Sequence, residues 1–303
     1  MELSLNSVSK QYKDKLAVNA LSLTMHNGIY GLLGPNGSGK TTLMRMICTV
    51  LRPSGGSISL DGEDIIGLGE SYRDVLGYLP QEFGYYPNFT GRDFLMYFAA
   101  LKGLTKYQAE EKCGELLELT GLSEVAGKKL KTYSGGMRQR IGIARALAME
   151  PKFLVMDEPI SALDVSIQAQ VVNMLEDLQR EFGLTYLFIA HDLSMVRHIS
   201  DRIGVMYLGK LVEIGPSEEI YNHHLHPYTE ALLSSVPVPD PEKARAKEQI
   251  VLQGDIPSPI DPPSGCRFRT RCSRACEKCA QVEPELKPVG NDHFVACHLV
   301  NAE

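Results

Sequence analysis

At 303 residues with 44% hydrophobic side chains, the chain can bury a full α/β core and carry an appendage. A net charge of −6 and the lack of a basic–aromatic stripe speak against a nucleic-acid partner. No apolar run approaches the ~20 residues of a membrane helix, and MELSLNSVSK lacks the cationic start and apolar core of a secretory signal. Any membrane role therefore needs other chains to span the bilayer.

In chain order, the apolar run Ile29–Leu33 predicts a buried strand, followed by a glycine loop and a helix over Thr41–Val50. A strand over Leu76–Leu79 runs into Gln81. Residues 84–134 read as helical, with helices over Arg92–Lys102 and Lys106–Leu119 broken at Gly103. From Ser134 a further helix carries Met137, Ile141, Ala144 and Ala148 on one face. Strands over Phe153–Met156 and Leu184–Ala190 end in Asp157-Glu158 and His191-Asp192. This alternation predicts an α/β fold with a parallel sheet covered on both faces.

The glycine loop GPNGSGKT at 34–41 fits G-x-x-x-x-G-K-[ST], and it sits between a strand and a helix as a P-loop must. Gly34, Gly37 and Gly39 permit close backbone approach. The loop N–H groups and the helix N-terminus then face phosphate. Lys40 is placed to reach the β- and γ-phosphates, and the Thr41 hydroxyl to ligate Mg²⁺. Asp157, an acid at a strand end, suits the metal's water shell. Glu158 beside it suits a general base that polarises the attacking water. A neutral His191 could bond the γ-phosphate, although alone it reads as a surface or packing histidine.

Together these residues resemble the ATP-binding-cassette (ABC) ATPases over about residues 1–225. The resemblance implies a P-loop (RecA-like) nucleotide-binding domain whose helical subdomain, at about 84–134, grips a membrane subunit. It implies ATP and Mg²⁺ as ligands and a dimer of two ABC ATPases, identical or paralogous, closing around ATP. Tyr12 then stacks on adenine, and Gly34, Pro35, Asn36, Gly37, Ser38, Gly39, Lys40, Thr41 and Thr42 hold the phosphates. Gln81 is the lid glutamine that senses Mg²⁺ and the membrane partner. Ser134, Gly135 and Gly136 form the signature that meets the γ-phosphate across the dimer. Asp164 closes the loop joining the two sites, and His191 is the switch histidine. At the signature edges, Tyr133 stands for the commoner Leu and Met137 for the commoner Gln.

The last eighty residues differ in composition. Prolines 237, 239 and 241, then 257, 259, 262 and 263, mark linkers. Five of seven cysteines follow within Cys266–Cys297, a cluster that in a cytosolic protein points to metal rather than disulfides. Four thiolates suit Zn²⁺ or an iron–sulfur cluster, and spacing does not choose between them. Arg267, Arg269, Arg271, Arg274 and Lys278 would favour thiolates, or simply form a solvated basic face.

The stretch from Glu158 to Pro216, with HPYTEALLSSVPVPDP, resembles the oligopeptide/dipeptide importer ATPases. Their C-terminal extension carries GC-x-F-x-x-RC and a terminal ACH, present here at 265–272 and 296–298. The resemblance makes Cys266, Cys272, Cys279 and Cys297 the ligands of a [4Fe–4S] cluster, with Cys276 an extra thiol. The lid text GYLPQEFGYYPNFTGRDFLMYFAALKGL and the YSGGM variant look more like antibiotic or multidrug exporter ATPases, which gives a mosaic with a seam near 134–150.

The expected domains are thus a nucleotide-binding domain over 1–225 and a small Cys-rich extension over 226–303. The expected function is the ATPase of an oligopeptide/dipeptide importer at the cytoplasmic face of the membrane. Its partners would be transmembrane permease subunits, a second ABC ATPase and a peptide-binding protein. The alternatives are an exporter ATPase and a soluble non-transport ABC ATPase.

Overall fold

All residues of the strands Ile29–Leu33, Phe153–Asp157 and Thr185–Ile189 are buried, as strands covered on both faces require. The computed structural model describes residues 1–148, 150–161, 163–190, 193–236 and 249–300. The first elements are β1 (Leu3–Tyr12), β2 (Lys15–Met25), β3 (Ile29–Leu33), α1 (Lys40–Ile47), β4 (Gly55–Leu60) and β5 (Glu63–Asp64). Next come α2 (Ile65–Leu68), α3 (Glu70–Asp74), β6 (Leu76–Leu79), α4 (Gly91–Leu101), α5 (Lys106–Leu119) and α6 (Gly135–Leu147). They are followed by β7 (Phe153–Asp157), α7 (Val165–Phe182), β8 (Thr185–Ile189), α8 (Leu193–Ile199), β9 (Arg202–Tyr207) and β10 (Lys210–Pro216). The remaining described elements are α9 (Ser217–Asn222), α10 (Pro227–Ser234), α11 (Glu277–Gln281), β11 (Lys287–Gly290) and β12 (His293–Val295). Contacts divide the chain into one unit of Met1 with Ile65–Ala190 and another of Glu2–Asp64 with His191–Glu303.

The first unit holds β6, β7 and β8 as neighbouring parallel strands. Helices α4 and α5 each begin with a capping box, Thr90 with Asp93 and Thr105 with Gln108, which satisfies N–H groups that a helix start leaves open. Both helices lie within two residues of their sequence-predicted bounds. On α6, Ile141, Ala144 and Ala148 are buried and Met137 half-buried, so the apolar face faces inward as its spacing predicts.

The second unit carries the antiparallel order β2-β1-β4-β5 and a run in which β3 and β9 are parallel while β9, β10, β12 and β11 follow as antiparallel neighbours. Helix α1 stops at Ile47, short of the expected Val50, because Thr49 takes a left-handed φ of 55° that no helix continues through. Two strands of the C-terminal extension, β11 and β12, join this run beside β10.

The join is polar and buried. Glu213 on β10 is fully buried and accepts from His293 Nε2 at 2.8 Å, Leu225 N–H at 2.7 Å and His226 N–H at 3.2 Å. Burial alone would raise its carboxyl, but the hydrogen bonds from His293, Leu225 and His226 outweigh that and hold it below the usual range. His226 is 1% exposed, caps α10 by accepting from Tyr228 N–H at 3.0 Å, and is pushed down to about 4 by burial, against an opposing pull from Glu213. His226 is thus a structural cap.

A histidine depressed on folding stays neutral in the folded chain while the unfolded chain protonates near pH 6.5. Stability should therefore fall as pH drops from about 6.5 towards 4, by about 3 kcal/mol at most. Glu213, also depressed, adds a further loss below its unfolded value near 4.5. Thermal melts across this range should show the decline. His226→Asn, which keeps a capping acceptor, should remove most of the upper part, and an unchanged pH profile would count against the assignment.

Candidate functional site

In the second unit, the P-loop is shaped by crowding as much as by φ. Gly34 has φ +146° and a Cβ there would lie 2.3 Å from Met206 O; Gly39 has φ +105° and its Cβ would lie 2.5 Å from Ala17 O. Neither position tolerates a side chain. The loop closes through Ser38 N–H to Pro35 O at 3.1 Å and Gly209 N–H to Ser38 O at 2.8 Å. Lys40 is 6% exposed, and its ammonium donates to Gly34 O at 2.6 Å and Pro35 O at 3.0 Å, so the cation sits on the loop backbone. Asn36, Gly37 and Thr41 are exposed and Thr42 is half-buried. No acidic side chain occupies the first turn of α1, which leaves the helix N-terminus suited to an anion. Tyr12, 42% exposed, ends β1 with Lys10 Nζ 5.5 Å from its ring centre, a surface fit for stacking.

In the first unit, Asp157 ends β7 at 4% exposure. Glu158, one residue on, has φ 51° and donates its N–H to Ile189 O at 3.0 Å. A non-glycine residue there stores about 1 kcal/mol of strain and turns its side chain away from the strand's direction. The Glu158 carboxylate accepts from Gln81 Nε2 at 2.7 Å. The expected base and the expected lid glutamine are therefore bonded to each other.

Ser134 caps α6, its Oγ accepting from Met137 N–H at 3.2 Å. Ser134 and Gly135 are exposed, while Gly136 is buried against Ile167, whose Cγ2 would lie 2.5 Å from a Cβ. Asp164 caps α7 by accepting from Ile167 N–H at 3.0 Å, so it fixes the turn that packs on the signature glycine. His191 and Ala162 lie outside the described residues.

Tyr133 has a physical account: it is 3% exposed and donates its hydroxyl to Val125 O at 2.9 Å, anchoring the signature loop to the helical segment. Tyr133→Phe should lower stability by about 1–2 kcal/mol in chemical denaturation, the cost of one orphaned buried carbonyl. Nucleotide affinity should stay unchanged, and equal stability would remove the anchor role.

Sequence reading missed how the lid segment meets α6. Phe83 packs where a Cβ on Gly142 would lie 2.6 Å from its ring, Arg145 sits 5.1 Å from the Phe83 ring centre and 5.4 Å from that of Phe98, and Arg138 donates to Tyr85 OH at 3.1 Å. Residues 138, 142 and 145 share one helix face, a spacing visible in the sequence.

In the extension, all five cysteines are free; Cys279 and Cys297 are buried, Cys266 and Cys272 half-buried and Cys276 exposed. Cys266 N–H bonds Cys279 O at 2.8 Å, and Cys276 Sγ lies 3.5 Å from Cys279 Sγ. Burial first, then the charges of Cys279, Cys297 and Cys272, push the Cys266 thiol up to about 11. Cys272 and Cys279 are also raised by burial. The flanking cations do not draw these thiols down as expected. Arg267 instead bonds Leu208 O, Arg269 bonds Ser264 O and Arg274 pairs with Glu230. Among the described residues, no group of three or more His, Cys, Asp or Glu side chains is arranged to hold a metal ion. The donor chemistry fits a metal, since the thiols of Cys266, Cys272, Cys279 and Cys297 feel one another's charge.

Comparison with known proteins agrees with this geometry. The ABC transporter family matches residues 18–161, and the oligopeptide/dipeptide transporter C-terminal region matches 212–279. The putative oligopeptide transport ATP-binding protein YkfD of Bacillus subtilis is 47% identical over 95% of this chain and 91% of its own length. The oligopeptide transport ATP-binding protein OppF of Salmonella typhimurium is 43% identical over 94% of this chain and 88% of its own. Likeness to peptide-transport proteins thus runs through both halves of the chain and is not confined to the second. Among solved structures, the ADP conformation of an ABC transporter's ATP-binding cassette superposes with TM-score 0.68 at 26% identity, covering 78% of this chain and 99% of that one. The cbiO1 protein of Clostridium perfringens, part of an ABC transporter complex, gives TM-score 0.66 at 26% identity over 73% and 90%. The chain belongs to the ABC transporter ATP-binding proteins: it is an ATPase, with the C-terminal region of the oligopeptide/dipeptide transporters.

Proposed function

We propose that this ATPase energises the import of oligopeptides or dipeptides across the cytoplasmic membrane. The observation that carries the reading is the oligopeptide/dipeptide C-terminal region at 212–279 on the same chain as the ABC cassette. Among the described residues no helix is long and apolar enough to cross a membrane, so permease subunits supply the path. The protein then sits at the cytoplasmic face beside a second ABC ATPase, with a peptide-binding protein delivering substrate. Co-purification from detergent with a peptide permease pair would support this, and stable association with an exporter subunit instead would overturn it.

In this reading Tyr12 stacks on adenine, and Gly34–Thr42 and Lys40 hold the phosphates. Ser134, Gly135 and Gly136 address the γ-phosphate of the partner's nucleotide, with the Asp164 turn behind them. Thr41, Gln81 and Asp157 are the residues that would hold Mg²⁺, which would neutralise phosphate charge. Glu158 takes a proton from the attacking water, and His191 orients the γ-phosphate. The Gln81–Glu158 bond holds the carboxylate's direction until the lid glutamine is called away. Cys266, Cys272, Cys279 and Cys297 would hold a [4Fe–4S] cluster or Zn²⁺, which would supply a cross-link within the extension and demand deprotonated thiols. Anaerobically purified protein should contain about four irons per chain. Zinc alone would select the other ion, and metal-free protein neither.

A further inference from the structure

A cavity of about 680 Å³, within the range of ligand sites, lies wholly in the unit that contains the P-loop; of the residues given roles above, Cys266 and His226 border it. One wall is Ala20 to Thr24, five consecutive residues of β2. Successive side chains of a strand point to opposite faces, so a cavity touching five in a row borders the strand's edge, not a face. That edge is open to pairing, because β2 is the outer strand of the order β2-β1-β4-β5. The facing wall is Lys210, Leu211 and Ile214 of β10 with Leu286 and Phe294 of the extension.

The two ends can be placed. Asn19 N–H bonds Gly209 O at 2.9 Å, which sets the start of the β2 wall beside Lys210. His26 N–H bonds Tyr30 OH at 2.9 Å, and Tyr30 is in register with Arg202, which sets the other end. Arg202 is in register with Pro216, six residues along β10 from Lys210, so the ends stand ~20 Å apart at ~3.3 Å per residue. Each end carries both signs of charge: Lys210 pairs with Glu283 and Arg202 with Asp292. A free peptide has one ammonium and one carboxylate, at opposite ends of an extended backbone. A tail projecting from another protein has only one of them.

We propose that this cavity binds a free oligopeptide of about six residues, added as a strand along β2, with its terminal charges met by the pairs at the two ends. The proposal rests on the peptide-import reading for its substrate class. It also gives that peptide a lever on the motor, because Gly209, beside Lys210, donates to Ser38 O in the P-loop.

Calorimetric titration of the full-length protein with an alternating alanine–serine hexapeptide tests it. The expected Kd is below about 1 mM. The same hexapeptide N-acetylated and C-amidated, which lacks both charges, should bind at least ~10-fold more weakly, and its backbone N-methylated form, which cannot donate to a strand edge, should not bind. The double variant Glu283→Gln, Asp292→Asn should weaken the free hexapeptide at least ~10-fold. Saturating hexapeptide should shift ATP affinity about 5-fold. No binding of the free hexapeptide, equal binding of the blocked one, or unchanged binding by the double variant overturns the site, and unchanged ATP affinity on binding overturns the link to the P-loop. If the hexapeptide fails to bind while the reconstituted transporter still imports peptide, the cavity proposal falls and the import reading stands.

Discussion

Glu158→Gln should cut ATP hydrolysis by about 10²–10⁴-fold, the worth of a positioned general base. ATP binding should stay within about 3-fold, because a carboxamide removes proton-accepting power without changing shape. The local structure should also persist: the Gln oxygen can still accept from Gln81, as Glu158 does at 2.7 Å, and the backbone bond to Ile189 O is untouched. Phosphate release beside equilibrium nucleotide binding separates the two effects. Light scattering should show the ATP-loaded variant trapped as a dimer. Full turnover in this variant would remove Glu158 as the base.

Lys40→Ala should weaken ATP by about 10–100-fold, the equivalent of one or two charge-assisted hydrogen bonds to phosphate. The loop should survive, because Gly34 and Gly39 are fixed by close approach to Met206 O and Ala17 O rather than by the lysine. What disappears is the cation that the Gly34 and Pro35 carbonyls hold within the loop. Titration with a fluorescent ATP analogue reads the change directly. Unchanged affinity would count against the P-loop assignment.

The ATP-binding text was legible because its chemistry is local. A strand, a glycine loop and a lysine at fixed spacing leave few alternative meanings, and Ile29–Leu33 and Leu76–Leu79 fall where their apolar runs place them. Features that depend on residues distant in sequence were not legible. Gln81 and Glu158 are 77 positions apart, and nothing local says that they bond. Strands β11 and β12 carry Pro288 and a Gly290-Asn291-Asp292 turn, so their propensity reads as loop; their pairing onto β10 is set by Glu213 and His293 across 80 positions. The cysteines also depend on distant partners. The flanking cations suggested thiolates or a solvated basic face, whereas burial dominates at Cys266 and Arg267, Arg269 and Arg274 bond backbone oxygens and Glu230.

The most direct test is peptide uptake into vesicles carrying the permease pair and this ATPase, with a peptide-binding protein outside and ATP inside. The account predicts ATP-dependent accumulation of radiolabelled oligopeptide, lost with Glu158→Gln. ATP hydrolysis without peptide accumulation, or export of a drug from the same vesicles, would contradict it.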